Sequence, residues 1–122
     1  PQDYLTCWVP LVDTTINNGC AWIMPGVHRQ GTLRHWHTDL GYKCLTETSG
    51  AQPIEAKAGD VVVFSSLTPH RTGPNHTAGE RKSYILQYAH DRAVMLGKEG
   101  EDSTLQDDPD RQFAVIQAGK YV

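Results

Sequence analysis

The hydrophobic and polar positions of this chain fall into short runs punctuated by glycine and proline, and the pattern contains no convincing helix. Tyr4 to Val12 is rich in β-formers, with Tyr4, Thr6 and Trp8 on one face of a strand. Pro10 has no amide to give to a ladder, so this strand ends there or lies at a sheet edge. Asn17-Asn18-Gly19 predicts a turn, and Cys20 to Met24 the next strand, stopped by Pro25-Gly26. Residues 27 to 52 are mixed and polar and read as a long loop with at most one short strand. Order returns with a strand at Pro53 to Ala56, a tight turn over Lys57 to Asp60, and Val61 to Phe64. The last of these is a continuous apolar run expected to be buried on both faces. Residues 69 to 80 read as loop and Ser83 to Tyr88 as a final strand. Gly97 to Arg111 is expected to be a flexible acidic arm, followed by an apolar patch, Phe113 to Ile116, with no evident docking place. Short strands joined by Gly/Pro turns indicate an all-β sandwich, jelly roll or barrel.

Composition narrows the partners. At 122 residues, 39% hydrophobic and 20% charged, the chain is sized for one globular domain. No apolar run reaches the roughly 20 residues of a spanning helix, so no membrane partner is expected. A net charge of −3 argues against a nucleic-acid partner. Cys7, Cys20 and Cys44 are odd in number and form no C-x-x-C pair. Free thiols and a cytoplasmic location are therefore the expectation. The chain opens at Pro1, and strand character begins at Tyr4, so the segment reads as cut from a longer chain.

The stretch from Ala58 to Lys82 carries the chemistry. A turn feeds an apolar strand, the strand leads to His70, and Arg81 opens the next strand after a tight loop. A neutral imidazole is a good Fe(II) ligand, and a guanidinium fork matches a carboxylate. Taken singly, a histidine after proline is an ordinary turn residue and an arginine before a strand an ordinary surface charge. A second candidate is His37-Thr38-Asp39, whose i, i+2 spacing suits two ligands on one strand face. His28, His35 and His37 also sit among polar loop residues that can hold a stray metal weakly.

Over residues 4 to 90 the chain resembles the C-terminal half of the phytanoyl-CoA dioxygenase family. Leu5-Thr6-Cys7-Trp8-Val9-Pro10-Leu11 and Asn17-Asn18-Gly19-Cys20 resemble the strand and turn before the family's Pro-Gly-Ser-His signature. That signature reads Pro25-Gly26-Val27-His28 here, and Thr68 to Asn75 through Arg81 resembles the distal metal-ligand and cosubstrate segment. The resemblance implies a double-stranded β-helix (a cupin-like jelly roll) lacking its N-terminal strands, and a hydroxylase of a small organic substrate. Its cofactors would be Fe(II) and the cosubstrate 2-oxoglutarate. It makes His70 the distal histidine of a two-histidine, one-carboxylate triad, and gives Arg81 the far carboxylate of 2-oxoglutarate with help from the Thr72 hydroxyl. Trp8 falls where a tryptophan lines the cosubstrate pocket, or is a core indole. His28 reads as a structural contact and Asn75 as a turn-former. The family's H-x-D pair lies upstream of this chain's first strand. These readings make residues 1–122 one partial domain, with 4–90 the recognisable core and 97–122 a polar arm. They also predict exposed strand edges able to self-associate. Two other classes stay open: a small cupin-like metal-binding protein using His37, Asp39 and His70, and a non-catalytic jelly-roll binding module.

Overall fold

A computed structural model describes residues 4–95 and 102–122. The chain divides into two compact units, one ending at Tyr88 and one from Ala89 to Val122. The strands of the first unit are β1 (Leu5–Pro10), β2 (Ala21–Ile23), β3 (Trp36–Thr38), β4 (Gly41–Lys43), β5 (Gln52–Ile54), β6 (Val62–Ser65), β7 (His70–Thr72) and β8 (Ser83–Tyr88). A short 3-10 turn covers Val27–Gln30, and there is no α-helix among the described residues.

The strands form two antiparallel three-stranded sheets, in the orders β6-β1-β8 and β5-β2-β7, with β3-β4 as a separate hairpin. Along the chain, β1 lies in the first sheet, β2 and β5 in the second, β6 in the first, β7 in the second and β8 in the first. This repeated crossing between two sheets is the winding of a jelly roll. Pro10 ends β1, as expected, yet β1 is the central strand. Its carbonyl remains useful where its amide is missing, accepting from Gly59 N–H at 2.9 Å.

Burial along β1 alternates, with Thr6, Trp8 and Pro10 buried. Their ladder partners Phe64 and Val62 share that face, and Phe64 touches the His70 ring, with centroids 4.6 Å apart. That contact ties the covered face of the first sheet to β7 of the second. The opposite face is open: Val63 is 55% and Tyr84 59% exposed. Val61 to Phe64 is therefore not buried on both faces. Val62 and Phe64 turn inward, while Val63 points to a face that no described element covers.

Three other expectations change. Residues 69 to 80 are not all loop, because β7 is zipped to β2 there. The 27–52 segment contains a hairpin, β3-β4, besides its loops. The Pro53–Ala56 strand starts one residue earlier and ends two earlier, at Gln52–Ile54, with Ala56 in an isolated bridge to Thr14.

The second unit holds two small hairpins, β9 (Val94–Met95) with β10 (Thr104–Leu105), and β11 (Ile116–Gln117) with β12 (Lys120–Tyr121). Part of the expected flexible arm is thus laddered, and its beginning, residues 97–101, lies outside the described residues. The apolar patch is exposed: Phe113, Val115 and Ile116 all face solvent. No described helix is long and apolar enough to cross a membrane.

Candidate functional site

His70 begins β7, a three-residue strand that exists because β2 offers it a continuous line of partners. Ile23 pairs with His70, Trp22 with Arg71 and Ala21 with Thr72. The zipper runs on beyond the strand. Met24 N–H donates to Pro69 O at 3.0 Å, Gly73 N–H to Cys20 O at 3.1 Å and His76 N–H to Asn17 O at 2.9 Å. Alternation puts His70 and Thr72 on one side of β7 and Arg71 on the other, where its guanidinium lies 5.4 Å from the Trp22 ring centre.

The His70 ring is held in one tautomer. Its Nδ1 lies 2.9 Å from the Thr68 carbonyl oxygen. A carbonyl only accepts, so Nδ1 carries the proton in this contact, and the Nε2 edge of the ring makes no hydrogen bond among the described residues. The Thr68 carbonyl is itself set by a turn in which Thr68 N–H donates to Ser65 O at 2.9 Å. Together with the Phe64 ring, this turn presents an oriented imidazole ready to bind a metal ion.

His70 lines an open cleft of about 420 Å³ between the Ser66–His70 segment and the base of the β3-β4 hairpin. His35, Tyr42 and Cys44 also line it. Tyr42 meets the edges of both the His35 and the His37 ring, each at 5.4 Å between centroids. His37, although in β3, does not line the cleft, and Asp39 sits in the turn at the hairpin tip. Among the described residues, no three histidine, cysteine, aspartate or glutamate side chains gather to hold a metal ion. His37, Asp39 and His70 are therefore not brought together, and the cupin-like reading built on them loses its site. His70 stands on the cleft without two further such side chains gathered beside it among the described residues.

Arg81 lies two residues before β8, and the intervening Lys82 is held by Leu11 N–H donating to its carbonyl oxygen at 2.9 Å. Among the described residues the Arg81 guanidinium reaches Ser83 Oγ, at 3.5 Å, the outer limit of a hydrogen bond. No described carboxylate pairs with it. Its field is nonetheless felt at Cys20: burial pushes this thiol up, the Ile54 backbone bond draws it down, nearby Glu55 raises it and Arg81 lowers it. Thr72 ends β7 beside Ala21 and is exposed. Trp8 is 4% exposed, packed on the same face as Thr6 and Pro10. His28 lies exposed in the 3-10 turn. Asn75 closes a turn, its Nδ2 donating to Gly79 O at 2.7 Å and its Oδ1 accepting from Thr77 N–H at 2.9 Å.

His35, Tyr42 and Thr68 carry parts of this site that sequence reasoning passed over as a set. The signal for the first two was the Trp36-His37-Thr38 and Gly41-Tyr42-Lys43 pair flanking Asp39-Leu40, a two-residue hairpin loop. Thr68 acts through its backbone, which side-chain motifs do not record.

Residues 1–83 match the family model "Phytanoyl-CoA dioxygenase (PhyH)". A methylphosphonate hydroxylase of Gimesia maris is 29% identical over 87 residues, covering 71% of this chain and 34% of that protein. A probable phytanoyl-CoA dioxygenase of Caenorhabditis elegans is 31% identical over 101 residues, covering 75% and 32%. The crystal structure of EvdO2 from Micromonospora carbonacea var. aurantiaca, complexed with 2-oxoglutarate, superposes with a TM-score of 0.64 at 32% identity, over 69% of this chain and 37% of that one. The chain spans about a third of the length of these curated relatives.

Proposed function

This chain belongs to the phytanoyl-CoA dioxygenase family, and from that premise we propose that the protein containing it is an Fe(II)- and 2-oxoglutarate-dependent hydroxylase of a small organic substrate. Its contribution is the C-terminal part of the oxygenase domain, with residues 4–90 as the core of that part. The observation that carries the reading is the locked His70 ring, held at Nδ1 beside an open cleft.

When bound, the metal supplies oxidative chemistry that couples decarboxylation of the cosubstrate to hydroxylation of a substrate. The chain's own residues do the holding. His70 offers Nε2 as one metal ligand, steered by the Thr68 carbonyl. Arg81 receives the far carboxylate of 2-oxoglutarate through a two-pronged contact, and the Thr72 hydroxyl adds a hydrogen bond. An arginine without a described carboxylate partner suits that role, because a resident ion pair would have to be broken first. Trp8, 4% exposed, packs as a core indole on the covered face of the first sheet, or backs the cosubstrate pocket from there. The cleft-lining hairpin faces the substrate. Three free thiols support residence in a reducing compartment such as the cytoplasm, and the open strand edges support self-association.

The test is Arg81→Lys in the full-length protein. A lysine keeps the charge but not the fork, and a charge-assisted bidentate pair is worth about 2–3 kcal/mol. The Kd for 2-oxoglutarate, measured by calorimetry with Fe(II) present, is expected to rise tenfold to a hundredfold. An unchanged Kd would remove Arg81 from the site.

A further inference from the structure

Gly19 stands where no side chain can. Its φ is +88°, and a Cβ built on it would lie 2.6 Å from the Gly73 carbonyl oxygen and 3.2 Å from that of Pro74. Gly73 is confined less severely: a Cβ there would meet Trp22 Nε1 at 3.2 Å and lie in ordinary contact with the Gly19 Cα at 3.5 Å. Two backbones therefore touch at the point where the chain leaves β7 and starts toward Arg81. The hydrogen bonds on either side, Gly73 N–H to Cys20 O and His76 N–H to Asn17 O, show that the Asn17–Cys20 turn grips the loop along several residues. That turn is itself braced. Asn18 Oδ1 accepts from Thr15 N–H at 2.7 Å, and Asn18 Nδ2 donates to Asp13 O at 2.8 Å. At its far end the loop is pinned again, by Lys82 O on Leu11 and by the pairing of Ser83 with Pro10.

The loop is thus fastened at two places, along Gly73–His76 and again at Lys82, and between them it runs from Thr77 to Arg81. Near the first fastening Cys20 is fully buried and lies within the field of the Arg81 guanidinium.

We propose that Gly19 is a positioning residue: its bare backbone contact with Gly73 sets the path of the Thr72–Arg81 loop and so the spacing of the 2-oxoglutarate clamp. The proposal rests on the reading of Arg81 and Thr72 given above. His70 itself is held by the β2 ladder and by Thr68, so it should be far less sensitive to this contact than Arg81.

The clean comparison is Gly19→Ala against Gly59→Ala in the full-length protein. Gly59 has nearly the same backbone angle, φ +90°, but a Cβ there meets nothing within 4 Å. Both variants carry the strain of a side chain at positive φ; only Gly19→Ala forces the loop to move. Binding is read by calorimetry for Fe(II) alone and for 2-oxoglutarate with Fe(II), with Tm alongside. Gly19→Ala is expected to weaken 2-oxoglutarate at least tenfold while iron affinity stays within threefold, and Gly59→Ala to lose Tm without losing 2-oxoglutarate. Should Gly19→Ala fail to fold, Gly73→Ala crowds the same crossing more mildly, from the loop side and against Trp22 Nε1, and a threefold to tenfold loss of 2-oxoglutarate affinity is expected. Equal losses of 2-oxoglutarate affinity in the Gly19 and Gly59 variants, or a parallel fall in iron and cosubstrate affinity, would overturn the proposal. Absence of 2-oxoglutarate binding by the unaltered protein would instead sink the functional reading on which it stands.

Discussion

Asp13 shows how much a solvent-facing residue can organise in this fold. Its two oxygens join β1's exit to the turn before β6: Oδ2 meets Lys57 Nζ at 2.8 Å and Oδ1 accepts from Ala58 N–H at 2.9 Å. The same turn is closed by Asp60 Oδ2, which accepts from Lys57 N–H at 2.7 Å. The Lys57 hydrogen bond first, then the Ala58 bond, holds the Asp13 carboxyl below its ordinary value of 3.8. A carboxyl depressed in the folded state contributes its full stabilisation above the unfolded pKa and loses it as pH falls through the folded one. Lys57 is raised above 10.5 by the same contact, so its share persists up to that value and is lost above it. Both groups are exposed, and salt will shrink the effect. Asp13→Asn is expected to lower Tm slightly at pH 6, with the gap to the unaltered chain closing as pH is taken below 3.8. Thermal melts from pH 2 to 6 at low salt check it, and a gap that widens in acid would contradict the assignment.

Within the first unit, the β3-β4 hairpin stands apart because, among the described residues, its strands pair only with each other. Its turn rests on Thr38, whose Oγ1 donates to Gly41 O at 2.7 Å and accepts from Leu40 N–H at 3.3 Å. Each such bond is worth about 0.5–1.5 kcal/mol. Thr38→Val should therefore speed amide exchange across the hairpin roughly fivefold or more while barely moving Tm. A drop of several degrees would mean that the hairpin unfolds with the sheets. The hairpin also marks the limit of what sequence reasoning reached. β1 and β8 were legible because six residues of β-formers announce themselves, and the Asn17-Asn18-Gly19 turn is a strong local signal. β7 was hidden. Its three polar residues, His70 to Thr72, have no strand signature, and only the non-local zipper with β2 makes them a strand. The same reason governs the site. His70 and Arg81 stood out by chemistry and family resemblance, whereas His35, Tyr42 and the Thr68 carbonyl enter through tertiary placement. Val63 misled for a third reason: an apolar run looks equally buried whether or not anything covers it.

For the molecule as a whole, the dominant fact is uncovered β surface. In the first sheet β6 and β8 are edge strands whose outer sides have no described partner, and Val63, Tyr84 and Ile85 are each more than half exposed. Open edges and apolar faces are templates for pairing. The isolated chain is expected to sediment above its 13.6 kDa monomer mass as concentration rises, and Val63→Lys to shift it back toward the monomer. A monomer at every concentration would show that these surfaces do not associate. The winding has a further consequence in time rather than space. β1 is the middle strand of its sheet, yet its partners β6 and β8 come from far along the chain, Ile85 opposite Trp8. At synthesis rates of about 5–20 residues per second, β1 waits several seconds on the ribosome before its last neighbour emerges. During that interval it is an unpaired apolar strand, and the cell must shelter it until the chain that completes its sheet has been translated.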